Sequence, residues 1–255
     1  MFVRKSHFQQ PWCTQHLAHI NKMLTLAVLG DNPDPDIEKQ ITLWHRTRQV
    51  EYPWCMEYCP PEDPILDIGS NHQFSCALLG MGHEVCLHSL PIETETFRHV
   101  SAFVDPAITF DACFRKYSRK ATAVVGWLDT APLPDEHFQT VYCISVIEHV
   151  HGEDDVDELM RGMWRVLKPG GRLCITADWF VKFAVDDGME GTVFNFDLGR
   201  WITSLGGKVV TPSKEIPWSP DFDTSLWKDR DLLTIDWHQL LAVYGVVIEK
   251  PATVK

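Results

Sequence analysis

The sequence predicts an α/β protein: a doubly wound, mostly parallel sheet of seven strands with helices on both faces, preceded by a helical extension. Three observations carry this expectation. From Pro64 onward, short apolar runs alternate with segments of helical period, the pattern of a parallel sheet covered on both sides. The first of these runs, ILDIGS at 65–70, breaks sharply at Gly69. Later, the segment before VLKPGG places Val156, Leu159, Met160, Met163, Val166 and Leu167 on one helical face, with Glu153, Asp154 and Asp155 favouring its N-terminal dipole.

Taken in order, residues 13–29 and 36–50 read as two helices separated by the breaker GDNPDP, where Asp34 or Asp36 can cap the second. EYPWC at 51–55 then reads as a turn, since Pro53 biases Tyr52 away from helix. Trp54 reads as a core anchor, with part of a pocket wall as the alternative. Strands follow at 65–68, 84–88, 121–125, 140–146 and 172–177, with a helix at 73–81 between the first two. Pro169, Gly170 and Gly171 end the helix that precedes the fifth strand. Beyond Ala177 the pattern gives a helix near 194–205 and a strand at 208–211. A loop with Pro212, Pro217 and Pro220 comes next, then a strand at 241–249 that is apolar on both faces. Residues 1–60 thus form a helical lid or packing layer and 61–255 the sheet domain, with 211–240 as an insertion that covers a substrate.

With 35 acidic against 23 basic residues and no Lys/Arg-rich run, the chain does not suit a nucleic-acid backbone or an anionic membrane. A small or neutral partner fits better, and oligomeric state is not legible. The N-terminus shows no signal-peptide pattern and Leu26–Leu29 is too short to span a bilayer, so the reading is cytoplasmic. Cys86, Cys143 and Cys174 sit in strand-like runs, which favours reduced thiols over disulfides. Cys13, His16 and His19, or Cys55 and Cys59, could be imagined around zinc, but neither set has the paired spacings of a zinc module, and no metal is expected.

Ligands of an open parallel sheet bind beyond the carboxyl ends of its strands. After the first strand, Asp67 offers a carboxylate and Gly69 a tight turn open to close approach. The three-glycine dinucleotide fingerprint is missing, which disfavours hydride transfer.

WLDTAPLPDEHFQTVYCISVIEHV at 127–150, followed by MWRVLKPGGRLCIT at 163–176, resembles the second half of the class I S-adenosylmethionine-dependent methyltransferase fold, in order and over about 64–177. The EYPWC and TADWF segments also look like a subgroup that modifies glycans or small molecules. The resemblance implies S-adenosylmethionine as cofactor. Asp67, Gly69, Ser70 and Asn71 would then line its methionine and ribose part, and Leu128 and Asp129 would flank adenine. Ser145 and Val146 would border the sulfonium. Glu148 and His149 follow as the acid–base candidates, His149 having a pKa suited to a general base. Asp178 and Trp179 would bind the acceptor, while Trp218, Trp227 and Trp237 could wall a substrate cover.

The chain departs from that family in two places. Asn71 and Gln73 stand where further glycines are usual, and the second strand ends Leu87-His88-Ser89 where an acid usually holds both ribose hydroxyls. His88 and Ser89 can each make one hydrogen bond in its stead, and a lost charged hydrogen bond costs about 1.5–3 kcal/mol. Methyl transfer to oxygen or nitrogen of a small molecule or glycan is the activity the resemblance implies; the alternative is an inactive binding or scaffold protein with a weakened cofactor site.

Overall fold

The computed structural model describes residues 3–31, 47–69, 73–89, 111–150, 153–182, 197–211, 234–236 and 240–252. A short 3-10 turn at Lys5–Gln9 leads into α1 (Pro11–Val28), whose start suits a proline because the first helical N–H has no intrahelical acceptor. Cys13, Ile20, Leu24 and Ala27 bury its inner stripe. Helix α2 (Arg48–Tyr58) and, after strand β1 (Ile65–Ile68), helix α3 (Gln73–Gly80) pack against it. The order continues with β2 (Val85–Ser89), α4 (Asp111–Lys116), β3 (Ala121–Val125) and β4 (Phe138–Ile144). Then come α5 (Glu153–Val166), β5 (Leu167–Lys182), α6 (Leu198–Ser204), β6 (Lys208–Val209), β7 (Thr234–Asp236) and β8 (Leu240–Glu249).

The strands run β3-β2-β1-β4-β5-β8-β6, with the short β7 pairing β8 off this path. From β3 to β5 every pair is parallel, and β8 enters antiparallel to both β5 and β6. The predicted doubly wound, mostly parallel sheet is therefore present, with β7 as an eighth, three-residue strand inside the stretch expected to be a loop.

Alternate residues of each strand feed two cores. Leu66, Ile68, Val141, Cys143, Leu173 and Ile175 face α5 and α6; Ile65, Val85, Tyr142, Ile144 and Cys174 face α1, α2 and α3. That parity is why the strands read as continuous apolar runs: both faces are covered. All eight cysteines are free thiols and buried.

Four expectations are corrected. EYPWC is no turn but the middle of α2, with Pro53 inside the helix. Pro53 cannot donate to the Gln49 carbonyl, and the Cys13 thiol approaches that oxygen at 3.7 Å instead. Strand β5 runs on through Asp178 and Trp179 to Lys182, because β8 continues to pair it past the point where the apolar pattern stops. The last helix begins at Leu198 rather than near 194, and β6 ends at Val209. The 36–50 helix lies largely outside the described residues. Among those described, no helix is long and apolar enough to cross a membrane.

Candidate functional site

The carboxyl ends of β1, β2, β3 and β4 lie side by side, since Ile68 pairs both His88 and Cys143, and His88 pairs Val124. Gly69 makes the turn out of β1 at φ 63°, and its N–H donates to the His88 carbonyl at 2.8 Å. A Cβ at Gly69 would stand 2.7 Å from the Val146 side chain, so both the conformation and the packing demand glycine. Asp67, wholly buried, accepts from the Ser75 hydroxyl on α3. Ser70 and Asn71 lie outside the described residues, and Ser89 is described as the last backbone position of β2.

His88 is wholly buried, with neither ring nitrogen in a good hydrogen bond among the described residues. Burial pushes its pKa down to about 4 against the opposing Gly126 carbonyl, so the ring is neutral near pH 7. Past β3, Leu128 is buried and Asp129 half-buried, with Asp129 Oδ1 out of solvent and unpartnered. Two features of α5 hold this loop. Gly162 lets the backbone of Leu128 and Asp129 lie against the helix, where a Cβ would meet Asp129 N at 2.9 Å. Arg165 donates to the carbonyls of Leu133 at 2.7 Å, Leu128 at 3.0 Å and Ala131 at 3.3 Å, and to Asp135 at 2.6 Å.

A second group gathers at β4 and β5. Ser145 takes the left-handed backbone at φ 48°, an uncommon state for a residue with a side chain. Its hydroxyl donates to Glu51 Oε1 at 2.7 Å, and Thr176 donates to the same oxygen at 2.8 Å. Arg48, one helical turn before Glu51, donates to Glu51 Oε2 and to Ser145 Oγ. Burial alone would raise the Glu51 pKa, but Arg48 and the two hydroxyls outweigh it and hold it below its ordinary value. Glu148 and His149 lie in a 3-10 turn just past β4. Glu148 is wholly buried, and burial pushes its pKa up to about 8 although the Asp178 N–H donates to Oε1 at 3.0 Å. Burial first, then the charge of Glu148, raises the Asp178 carboxyl well above its usual range, with His149 and Arg48 opposing. Trp179 is described as a backbone position of β5.

The structure thus brings the expected residues into two neighbouring sets: Asp67, Gly69, His88, Leu128 and Asp129 around β1 to β3, and Ser145, Glu148, His149 and Asp178 around β4 and β5. Sequence reasoning missed Arg48, Glu51, Thr176 and Arg165. Glu51 left a signal, being an acid flanked by Val50, Tyr52, Trp54, Cys55 and Met56, all of which are buried. An ionised side chain in such company requires a partner.

The sequence profile of the methyltransferase domain matches residues 79–175. Geranyl diphosphate C-methyltransferase from Streptomyces coelicolor A3(2), crystallised with Mg2+, geranyl diphosphate and S-adenosyl-L-homocysteine, superposes over 94% of this chain and 98% of its own. Identity is 13% and the TM-score 0.54. A SAM-dependent methyltransferase from Methanosarcina mazei covers 79% of this chain and 98% of its own, at 16% identity and a TM-score of 0.48. No curated protein matches the sequence. The chain has the class I methyltransferase fold, and its residues 79–175 are similar to the methyltransferase domain. S-adenosylmethionine is the cofactor that this fold implies.

Proposed function

We propose that the protein is an S-adenosylmethionine-dependent methyltransferase that acts on a small molecule or glycan at oxygen or nitrogen. The observation that carries this reading is a buried acceptor without a partner just past β3, Asp129 Oδ1, together with the wholly buried His88 ring at the end of β2, whose nitrogens make no good hydrogen bond among the described residues. Buried polar atoms are nearly always paired, so such groups at the strand ends suit a ligand with matching donors and acceptors.

In this reading Asp129 accepts from the exocyclic amine of adenine while Leu128 covers the ring. His88, neutral, makes one hydrogen bond to a ribose hydroxyl, with Ser89 beside it. Asp67, Gly69, Ser70 and Asn71 line the methionine and ribose side, and Ser145 and Val146 border the methyl group. S-adenosylmethionine would supply an electrophilic methyl, so the chain has chiefly to hold a nucleophile in line with it. Asp178 and Trp179 hold the acceptor, and Glu148 or His149 takes a proton where the acceptor must lose one. The helices of residues 1–60 would cover that acceptor; the segment 211–240 with Trp218, Trp227 and Trp237, expected to complete the cover, lies largely outside the described residues.

Calorimetric titration with S-adenosylmethionine and S-adenosylhomocysteine tests the reading. Binding in the micromolar range is expected, with Asp129→Ala weakening it tenfold or more. Absence of binding at millimolar ligand would reject it and leave an inactive member of the fold.

A further inference from the structure

Three carboxyl groups and one guanidinium converge beside β4 and β5: Glu51 and Arg48 from α2, Glu148 from the turn after β4, and Asp178 from β5 itself. Arg48 and Glu51 are already matched. The guanidinium donates to Glu51 Oε2, and the other Glu51 oxygen accepts from Ser145 and Thr176. Glu148 and Asp178 are not matched. Each keeps one oxygen, Glu148 Oε2 and Asp178 Oδ1, out of solvent and without a hydrogen-bond partner among the described residues. The Glu148 side chain is 0% exposed. Its other oxygen takes the Asp178 N–H at 3.0 Å, which ties the two carboxyls to one place.

Fully ionised, this cluster would hold three negative charges against the single charge of Arg48. Half-buried His149 also lies beside Asp178. Burying an unpaired carboxylate is costly, which is why burial drives both groups toward their protonated forms. The missing partner is a cation with several donors. A metal ion is a poor candidate, because among the described residues no three His, Cys, Asp or Glu side chains are arranged to hold one.

We propose that Glu148 and Asp178 bind the ammonium group of an amine acceptor, which makes the transfer an N-methylation; this rests on the methyltransferase reading above. An ammonium offers the absent charge and up to three N–H donors, enough for both orphan oxygens. A hydroxyl offers one donor and no charge, and an anionic acceptor would face carboxyls of its own sign. When R–NH3+ binds, the two carboxyls ionise and release their protons to solvent. One proton then passes from R–NH3+ to the Glu148 carboxylate, leaving R–NH2 with a free lone pair and a neutral Glu148.

Ligand-observed NMR on the full chain in cacodylate buffer tests this, with n-butylamine, n-butanol, butyrate and MgCl2 as probes, each with and without saturating S-adenosylhomocysteine. Saturation transfer to n-butylamine alone is expected. Its affinity should rise from pH 6.5 to 8.5 as Glu148 gives up its proton, in the presence of Arg48, Glu51, His149 and Asp178. Glu148→Gln should weaken the amine tenfold or more and remove that rise, as should Asp178→Asn for affinity. Equal binding of n-butanol, displacement of the amine by Mg2+ at equimolar concentration, or an amine affinity unchanged in folded Glu148→Gln would overturn the proposal. Should a variant not fold, the comparison of amine with alcohol on the native chain decides. Binding of S-adenosylhomocysteine without amine preference removes only this inference; amine binding without S-adenosylhomocysteine removes the methyltransferase reading and, with it, the N-methylation, leaving an amine site alone.

Discussion

Ser145 stands at φ 48° at the end of β4, and its hydroxyl donates at 2.7 Å to Glu51, 94 residues earlier in the chain. The strained backbone and the hydrogen bond belong together, since a left-handed residue with a Cβ costs about 1–3 kcal/mol and persists only where its surroundings fix it. Here the fixing comes from helix α2, through Glu51 and Arg48.

Removing that carboxylate should therefore be expensive. Glu51→Ala strands the Arg48 charge and two hydroxyls, and a loss of about 3–5 kcal/mol in urea unfolding is expected. Glu51→Gln keeps an acceptor for Ser145 and Thr176 and should lose less. At the other partner, Ser145→Gly should be milder than Ser145→Ala, because glycine adopts φ 48° freely while alanine keeps the strain and drops the bond. If alanine proved the milder change, the backbone strain would not be what Glu51 restrains.

Arg165 holds the loop that carries Leu128 and Asp129 by four hydrogen bonds from one guanidinium. A lysine cannot reproduce this planar fork, so Arg165→Lys should behave much like Arg165→Ala. Both are expected to weaken S-adenosylhomocysteine binding about tenfold while far-UV circular dichroism stays unchanged. A lysine variant with native affinity would mean that the Gly162 contact alone holds the loop.

How far these features could be read in advance follows from where their determinants lie. Strands β1 and β3 were legible to the residue because each is a short apolar run between turn formers. Strand β5 was cut short at Ala177, since what continues it is backbone pairing with β8, invisible in the spacing of apolar side chains. Helix α2 was misread at Pro53, a local signal overruled by the burial of Val50, Tyr52, Trp54, Cys55 and Met56. In the candidate site, the logic of strand ends pointed to Asp67, Gly69, His88 and Glu148, and the resemblance to Asp129 and Ser145. That logic could not find Arg48 or Glu51, which reach Ser145 and Thr176 from before the first strand of the sheet. Only the docking of α2 reveals them.

That docking has its own point of sensitivity. Trp54 is wholly buried, and a Cβ at Gly245 on β8 would stand 2.7, 2.8 and 3.0 Å from three atoms of its indole ring. The ring cannot swing aside easily, because Tyr58 lies against it with centroids 5.1 Å apart. Gly245→Ala should cost about 1–3 kcal/mol by overpacking, read as a lower urea midpoint. The double variant Gly245→Ala with Trp54→Phe should recover part of that loss; no recovery would place the clash elsewhere.

His88 gives the chain an acid sensitivity of defined sign. Its pKa in the folded protein is about 4, below the ordinary 6.5, because burial disfavours the imidazolium. Above pH 6.5 the ring is neutral folded or unfolded, and it contributes no pH dependence. As pH falls from 6.5 toward 4, the unfolded chain takes up a proton that the folded chain refuses, so stability is lost through that window. The loss is on the order of 1–3 kcal/mol between pH 7 and 4.5. His88→Gln removes the titration, and the difference between urea midpoints at pH 7 and pH 5 should narrow in the variant. Glu148 titrates with the opposite slope, since its raised value of about 8 makes stability fall as pH rises from 4.5 to 8. Glu148→Gln should accordingly gain on the native chain at pH 8.5 and not at pH 4.5. The two substitutions therefore act at opposite ends of the pH profile, and an equal effect of His88→Gln at both ends would show that the ring is not held neutral by burial.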